Sequence, residues 1–266
     1  MRQRPLCKLA GFHAVPHAAR WRRFAMPSGE WMSMALDLAF PPACASCRVP
    51  LSGGGAVLLC ADCREAFVDR RPTCARCGSV APGTTPSCPR CREARFFFEK
   101  ALRLGAYDGP LRAAVLRTKN QFGRGLAIAL GDLLAARHAD ELSAWKPDAV
   151  VPVPMHWSRR MWRGGNSPQV VAERLAARLG IPLASHLLAR RRRTALQASL
   201  PPSRRAANVR GAFRARAHRD LPGSRLLLVD DVMTTGATLN EASRTLSRAG
   251  AGSLAVAVLA RAEGVV

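Results

Sequence analysis

Acidic residues are scarce in this chain of 266 residues, which has 18 aspartates and glutamates against 41 lysines and arginines. The formal charge of +23 is unevenly spread, because residues 174–219 contain twelve arginines and no acid. A genomic bias towards arginine explains why the cations are arginine, but it does not explain a gap of this length without acids. Such a field attracts polyanions, namely nucleic acid, anionic lipid headgroups or a ligand that carries pyrophosphate.

Long apolar runs and aromatic side chains are also lacking. No uninterrupted apolar stretch approaches about 18 residues, so we expect no transmembrane helix. Residues 1–35 are rich in arginine and lack both a clear period and an apolar core of signal-peptide length. We therefore expect there either a disordered extension or residues upstream of the true start, with Met26, Met32 or Met34 as the candidate first residue. We also expect a cytoplasmic protein. Within residues 174–219 only Phe213 is aromatic, so nucleic acid would contact this region through backbone phosphates rather than bases.

Eight of the nine cysteines form four Cys-x-x-Cys pairs. Two residues between thiolates let one turn present both sulfurs to one ion, and two such turns complete a tetrahedral zinc site. A disulfide framework would need an oxidising compartment, and redox motifs would come with a βαβ pattern. We therefore predict two zinc ions, which are structural because sites with four thiolates are closed.

The simplest arrangement joins successive pairs of cysteines. It places Cys44, Cys47, Cys60 and Cys63 on one ion and Cys74, Cys77, Cys88 and Cys91 on the other. An interleaved arrangement is also compatible with the spacing. In either case we expect residues 36–95 to form a small double zinc ribbon.

Residues 96–266 alternate between strand and helix patterns. Apolar strands separated by amphipathic helices predict an α/β fold, with a mostly parallel sheet and helices on both faces. The predicted strands lie within residues 96–107, 149–153, 181–188, 226–229 and 253–259, and the predicted helices span residues 111–118, 125–138, 168–179 and 239–249.

One segment, Arg225 to Thr238, joins a strand to a helix through a polar turn. Its apolar run, Leu226 to Val229, is typical of a strand covered on both faces, and two aspartates follow. A turn with three threonines then opens the helix, where free N–H groups and hydroxyls form a site for a phosphate monoester. The two carboxylates cannot bind that phosphate; they suit sugar hydroxyls, a metal ion or a developing cation.

This segment resembles the phosphoribosyl pyrophosphate (PRPP) loop of type I phosphoribosyltransferases. The resemblance implies that the paired acids, Asp230 and Asp231, hold the ribose hydroxyls at the reacting centre. It also implies that the turn holds the 5-phosphate of PRPP bound with Mg²⁺, through Thr234, Thr235, Gly236, Ala237 and Thr238. An ordinary turn with polar helix caps is the alternative, but one cap does not explain two acids and three threonines in nine residues.

The order of motifs resembles the ComF family of competence-associated proteins over residues 36–262. After the cysteine pairs come the sequence Tyr-Asp-Gly-Pro-Leu at residues 107–111, then Lys119, then Val-Pro-Val-Pro-Met-His at residues 151–156. Before the PRPP loop come further matching residues, which are Arg190, Thr194, Gln197, Leu200, Arg204, Arg205, Asn208, Gly211 and Phe213. The resemblance implies a type I phosphoribosyltransferase-like fold behind a double zinc ribbon, and a role in DNA uptake.

Three further side chains are candidates for the polyphosphate. His156 and Arg159 lie where these transferases meet pyrophosphate, and a solvated basic face is the alternative for both. Lys119 is a candidate for phosphate contact or for surface charge. Where the family carries Arg-Gly-Phe-Asn-Gln, this chain has Gly165 and Ser167 in place of the aromatic residue and the glutamine, so we expect weaker positioning there.

Two functions of different classes fit these patterns. The first is an enzyme that transfers phosphoribose from PRPP to a nitrogen acceptor, with residues 190–205 as a mobile flap over the site. The second is a non-enzymatic import factor that binds single-stranded DNA through the basic region Arg174–Arg219 and senses PRPP as a regulatory ligand. A DNA binder should lose affinity steeply as salt rises. Proteins of the DNA-uptake machinery are the expected partners.

Overall fold

A computed structural model of the chain describes residues 42–51, 58–81, 88–155, 166–195, 197 and 200–263. These residues belong to one compact unit, Pro42–Val266. The predicted extension over residues 1–35 lies outside the described residues. Within the described ranges, no helix has both the length and the apolar character that a membrane span requires.

The described strands and helices alternate along most of the chain. The strands are β1 (Lys100–Ala106), β2 (Ala149–Pro152), β3 (Leu188–Arg190), β4 (Phe213–Ala215), β5 (Arg225–Met233) and β6 (Ser253–Arg261). The helices are α1 (Ala61–Phe67), α2 (Pro89–Glu93), α3 (Gly109–Thr118), α4 (Arg124–Arg137), α5 (Ala139–Trp145), α6 (Ser167–Leu179), α7 (Pro202–Val209) and α8 (Ala237–Arg248).

Four strands form a parallel sheet in the order β1-β6-β5-β2, and helices cover both of its faces. Alternate residues of a strand point to opposite faces. In β5, Leu227 and Val229 join the buried cluster that contains α3, α4 and α6. Leu226 and Leu228 join a second cluster, which contains α8. The predicted parallel sheet with helices on both faces is therefore confirmed.

One predicted strand is replaced, and several elements are not predicted from the sequence, namely α1, α2, α5, α7 and β4. Residues 181–188 are not a strand: Leu183 forms an isolated bridge with Val150, and regular pairing begins only at Leu188, in the separate antiparallel sheet β3-β4. Helix α5 is not predicted from the sequence because Leu142 is its one buried residue, which leaves no apolar period to detect. Tertiary packing decides both cases.

The cysteine-rich region packs against both faces of the sheet. The first ribbon half (residues 42–51 and 58–67) contributes Cys44 to the cluster of α3, α4 and α6. The second ribbon half (residues 71–81 and 88–94) contributes Cys77 and Cys88 to the cluster of α8. The two halves are thus built into the cores on opposite sides of the sheet.

Candidate functional site

The end of β5 is exposed along one edge because its neighbour β2 is shorter. β2 ends at Pro152, which is paired with Val229, and one further bond joins the two strands, from the Val153 N–H to the Val229 carbonyl at 2.8 Å. β5 continues through Asp230 and Asp231, paired only with β6. The two acids therefore lie inside the strand rather than after it, where the sequence pattern places them. The sheet is nevertheless open beside them.

A cavity of about 230 Å³ lies at this edge of the sheet. Seven of the site residues predicted from the sequence line it, namely Lys119, Asp230, Asp231, Thr234, Gly236, Ala237 and Thr238. Thr235 is not among the lining residues, and its hydroxyl accepts a hydrogen bond from the N–H of Ala237 at 3.4 Å. The structure thus brings the two acids, the lysine and most of the turn to one cavity.

The turn presents the N-terminus of α8 to this cavity. Gly236 has φ +81°, a left-handed conformation that favours glycine, and its carbonyl oxygen accepts the N–H of Asn240 at 2.8 Å. Helix α8 follows directly and has 12 residues. The N–H groups of its first turn and the hydroxyls of Thr234 and Thr238 form a preorganised site for an anion.

The two carboxylates differ in their electrostatic surroundings. Asp231 forms an ion pair with Lys119, with 3.0 Å between Oδ2 and Nζ. Its backbone N–H also donates to Asp230 Oδ1 at 2.8 Å. Burial, and next the charge of Asp231, raise the pKa of Asp230 to about 8, although Lys119 and Arg190 act in the opposite direction. Burial therefore favours the protonated form of the Asp230 carboxyl near neutral pH.

Lys119 is held in place by the packing between α3 and α6. It follows Thr118, whose hydroxyl donates to the Val115 carbonyl at 2.8 Å and lies 3.0 Å from the hydroxyl of Ser167. Ser167 is buried at the start of α6, so this departure from the family pattern serves the contact between the two helices. The predictions for His156, Arg159 and Gly165 lie outside the described residues.

Two long polar side chains of the predicted flap also reach the cavity, although they were not predicted as site residues. Arg190 and Gln197 line the cavity, and Gln197 donates to the hydroxyl of Thr238 at 3.3 Å. Asn208, on α7, in turn donates to Gln197 Oε1 at 2.9 Å. The sequence analysis places this segment over the site as a flap, and the fold brings it into contact with the turn.

Some arginines of residues 174–219 have partners within the fold. Arg174 and Arg178 form ion pairs with Asp132 on α4. Arg192 donates to the carbonyl oxygens of Asn208 and Arg210. Three exposed arginines line a groove beside β3 and β4, and these are Arg191, Arg214 and Arg216. Within the predicted basic region, this groove thus brings together exposed arginines from two separate segments of the chain.

The eight cysteines form two tetrads, and each tetrad consists of two successive Cys-x-x-Cys pairs, as the sequential arrangement predicts. In each tetrad, all four sulfurs lie within 4.8 Å of one another. Neighbouring sulfurs are 3.6–3.7 Å apart, close to the edge of about 3.8 Å of a tetrahedron with zinc–sulfur bonds of about 2.3 Å. The donor set and spacing fit zinc, and the interleaved alternative is excluded.

Each tetrad combines a turn with the start of a helix. In the second, Cys74 and Cys77 lie on a turn closed by the bridge between Thr73 and Val80, while Cys88 caps α2 and Cys91 lies within it. Burial raises the pKa of Cys88, but the Ser79 hydroxyl, followed by other hydrogen bonds, lowers it to about 6. Cys88 therefore favours the thiolate, the form that binds metal, whereas burial raises the pKa values of Cys74 and Cys91.

Comparison with known proteins agrees with this architecture. Residues 35–93 match the family model of the double zinc ribbon domain, and residues 121–264 match that of the phosphoribosyl transferase domain. Competence protein F of Haemophilus influenzae is 34% identical over 208 residues, which cover 77% of this chain and 90% of that protein. The DNA utilization protein YhgH of Salmonella typhimurium is 34% identical over 234 residues, 84% of this chain and 99% of that protein.

A solved purine phosphoribosyltransferase from Pyrococcus horikoshii covers 60% of this chain and 78% of its own, with 21% identity and a TM-score of 0.32, and this likeness is too low to carry weight. The two domain matches and the extent of similarity to competence protein F and YhgH are sufficient to assign the family. This chain belongs to the ComF family, in which a double zinc ribbon precedes a phosphoribosyltransferase domain.

Proposed function

We propose that this protein binds PRPP with Mg²⁺ in the cavity beside β5 and transfers the phosphoribosyl group to a nitrogen acceptor during DNA uptake. One observation carries the proposal: a pair of acids and the N-terminus of α8 line the same cavity. A sugar phosphate needs both, because its hydroxyls pair with carboxylates and its phosphate pairs with N–H groups and hydroxyls. A helix cap alone would require neither the second acid nor the lysine.

The turn would hold the 5-phosphate, at the end of the ribose remote from the reacting carbon. The hydroxyls of Thr234 and Thr238 and the N–H groups of the first turn of α8 are the donors. Binding energy from this remote group can position C1 for reaction. Thr235 supports the turn from outside the cavity through its bond to Ala237.

The acids would bind the ribose hydroxyls and stabilise positive charge at C1. In the reaction the bond from C1 to a pyrophosphate oxygen breaks, a bond to nitrogen forms, the nitrogen loses a proton and pyrophosphate leaves. Lys119 is close enough to Asp231 to attract the departing pyrophosphate as well. Asp230 and Asp231 offer oxygen ligands for magnesium. When bound, magnesium would neutralise negative charge on the departing pyrophosphate.

The role in DNA uptake comes from the relatives, one of which is named for competence and the other for DNA utilization. We propose the same role here, with proteins of the uptake machinery as partners. Two zinc ions would occupy the cysteine tetrads and stabilise the ribbon halves. The cytoplasm is the proposed location, since a reducing compartment keeps eight free cysteines available for metal.

Calorimetric titration of the zinc-loaded protein with PRPP and Mg²⁺ tests this proposal. We expect saturable binding by the wild type and none by the double variant Asp230→Ala/Asp231→Ala. Asp140→Ala, which removes an exposed acid on α5, is the matched control and should bind as the wild type does. Absence of binding by the wild type would refute the PRPP site. Release of pyrophosphate with a panel of nitrogen bases then tests the transfer.

The groove beside β3 and β4 favours a second candidate, a binding protein for single-stranded DNA. Its three exposed arginines, Arg191, Arg214 and Arg216, are separated by small alanines. If all three contact phosphates, replacing them with glutamine should reduce the slope of log affinity against log salt by about 2. Arg178→Gln, which removes an arginine already paired with Asp132, is the control. An unchanged slope in the triple variant would exclude this groove as the DNA site.

A further inference from the structure

Gln197 joins the flap of residues 190–205 to the turn that begins α8. Its Nε2 donates to the hydroxyl oxygen of Thr238 at 3.3 Å and to the carbonyl oxygen of Arg205 at 3.2 Å. Its Oε1 accepts from Nδ2 of Asn208 at 2.9 Å. One half-buried amide therefore links α7, which carries Arg205 and Asn208, to the first turn of α8.

Backbone groups determine which end of each amide is the donor. Asn208 Oδ1 accepts from the Ala195 N–H, and Asn208 Nδ2 donates to the Ala195 carbonyl, both at 3.1 Å. Because a backbone N–H only donates and a carbonyl oxygen only accepts, Asn208 satisfies both bonds in one orientation alone. The Arg205 carbonyl fixes Gln197 in the same way, since it can accept only from Nε2. The chain of bonds therefore runs in one direction, from Asn208 through Gln197 to Thr238.

The chain of bonds ends at the Thr238 hydroxyl. A hydroxyl has one proton and two lone pairs, and Gln197 engages a lone pair, so the proton is left for another acceptor. Across the ranges that the structure describes, this hydroxyl makes only the bond from Gln197. Since Thr238 lines the cavity, an acceptor there can receive its proton in a hydrogen bond strengthened by the bonds behind it.

The two helices that carry these side chains are also held together by a separate contact. The Gly211 N–H, just beyond the end of α7, donates to Oε1 of Glu241 on α8 at 2.7 Å. Glu241 is itself paired with Arg244 at 2.7 Å. The fold therefore sets the position of Asn208 relative to Thr238, and a donor in place before the ligand arrives avoids the cost of ordering it on binding.

We propose that Gln197 is a positioning residue, which orients the Thr238 hydroxyl as a donor to a phosphate group at the turn. This inference rests on the proposed PRPP site and names a residue that favours its 5-phosphate. A phosphate monoester has a second pKa of about 6, so near neutral pH its terminal oxygens chiefly accept hydrogen bonds. A sugar hydroxyl carries no charge and gains less from a fixed donor. Gln197 therefore contributes to the preference for a sugar phosphate over the free sugar.

A double-mutant cycle on the zinc-loaded, full-length protein tests this role. Gln197→Met keeps the length of the side chain and removes the donor, and Thr238→Val keeps the shape and removes the hydroxyl. Calorimetry with PRPP and Mg²⁺ should show affinity losses of about fivefold for Gln197→Met and about tenfold for Thr238→Val. Because Gln197 acts through Thr238, the double variant should bind no more weakly than Thr238→Val. Losses that multiply in the double variant would overturn the proposal.

Gln169→Met is the matched control, because it removes a glutamine of α6 that bonds to Glu173 and Ser185 instead. It should bind PRPP as the wild type does. Two smaller ligands then locate the effect. In Gln197→Met, ribose 5-phosphate should lose about fivefold in affinity, whereas pyrophosphate with Mg²⁺, which lacks the 5-phosphate, should lose none. An equal loss for both ligands would show that Gln197 acts on the whole cavity, and the proposal would fail.

Gln197→Glu separates orientation from packing, because it keeps the size of the side chain but its carboxylate cannot donate. The Thr238 hydroxyl would then donate to the carboxylate instead of the ligand, so ribose 5-phosphate should lose more than about tenfold in affinity. Wild-type affinity in this variant would refute the role of Gln197. If Gln197→Met does not fold, Gln197→Glu takes its place in every measurement.

Inorganic phosphate alone separates this proposal from the PRPP function. It should shift the amide NMR signals of Leu239 and Asn240 in the wild type, and Gln197→Met should need about fivefold more phosphate for the same shift. If phosphate binds in this way and PRPP does not bind the wild type, the proposed function fails and the role of Gln197 stands. If PRPP binds the wild type and Gln197→Met equally, the role of Gln197 fails and the proposed function stands. If neither ligand binds the wild type, both are refuted.

Discussion

Raising the pH from 7 to 9 removes the proton that burial holds on Asp230, and the affinity for PRPP with Mg²⁺ should rise with it. The pKa of this carboxyl is raised to about 8 by burial and by Asp231. A group with that pKa is ionised in about a tenth of molecules at pH 7 and in about nine tenths at pH 9. If the ligand requires the carboxylate, affinity should increase about tenfold over this interval and then level off.

Calorimetry at several pH values between 7 and 9 provides the assay. The ligand contributes little to the change, because the second pKa of a phosphate monoester is about 6. Asp230→Asn should bind more weakly and with an affinity independent of pH. Titration in buffers of different ionisation enthalpy should detect nearly one proton released per PRPP at pH 7. A wild-type affinity that is flat over this range would refute the role assigned to the Asp230 proton.

The same proton affects stability with a defined sign. The pKa of Asp230 in the fold lies above its ordinary value of 3.8, so between about pH 4 and pH 8 the folded state binds more protons than the unfolded state. The free energy of unfolding should therefore fall as the pH rises through this window, by at most about 1.4 kcal/mol per pH unit from this group. Asp230→Asn should remove that fall, which urea denaturation at each pH would measure.

Three further changes have defined outcomes. Lys119→Met removes the cation 3.0 Å from Asp231, so the pH midpoint of PRPP binding should move upwards. The same calorimetric series would detect this shift. An unmoved midpoint would contradict the ion pair. Gly236→Ala introduces a side chain at φ +81°, which should lower the free energy of unfolding by about 1–2 kcal/mol in thermal denaturation and weaken PRPP binding. Gly180→Ala is the control, at φ +65° with open space around it, and it should lose stability without losing affinity. Arg117→Met removes two hydrogen bonds to the first ribbon half and should lower the free energy of unfolding by about 1–3 kcal/mol; urea denaturation showing no change would make those bonds dispensable.

Much of the site can be predicted from the sequence because its chemistry is local in the chain. The acids, the threonines and Gly236 lie within nine residues, and a strand followed by a helix has few ways to arrange them. The same holds for each Cys-x-x-Cys pair, since two intervening residues suffice to bring two sulfurs to one ion. Local geometry explains why the sequence could group these residues, which the structure brings together in one cavity and two tetrads.

Tertiary structure alone decided what depends on contacts between distant segments. The early end of β2 at Pro152 opens the sheet beside Asp230 and Asp231, which lie about 80 residues later in the chain and meet it only through strand pairing. The choice of sequential tetrads over interleaved ones follows from packing, because each ribbon half is built into a different face of the sheet.

The basic region shows the same division between local pattern and global arrangement. Its lack of acids is a property of the sequence, yet Arg174 and Arg178 find their carboxylate in Asp132, more than 40 residues earlier. Charge counts along a chain cannot reveal such partners, because ion pairs form in space. By itself the sequence determined the family, the pairing of the cysteines and the adjacency of the acids and the turn. The fold decided which arginines remain exposed and why the pKa of Asp230 is raised, because burial and neighbouring charges exist only once distant segments have packed together.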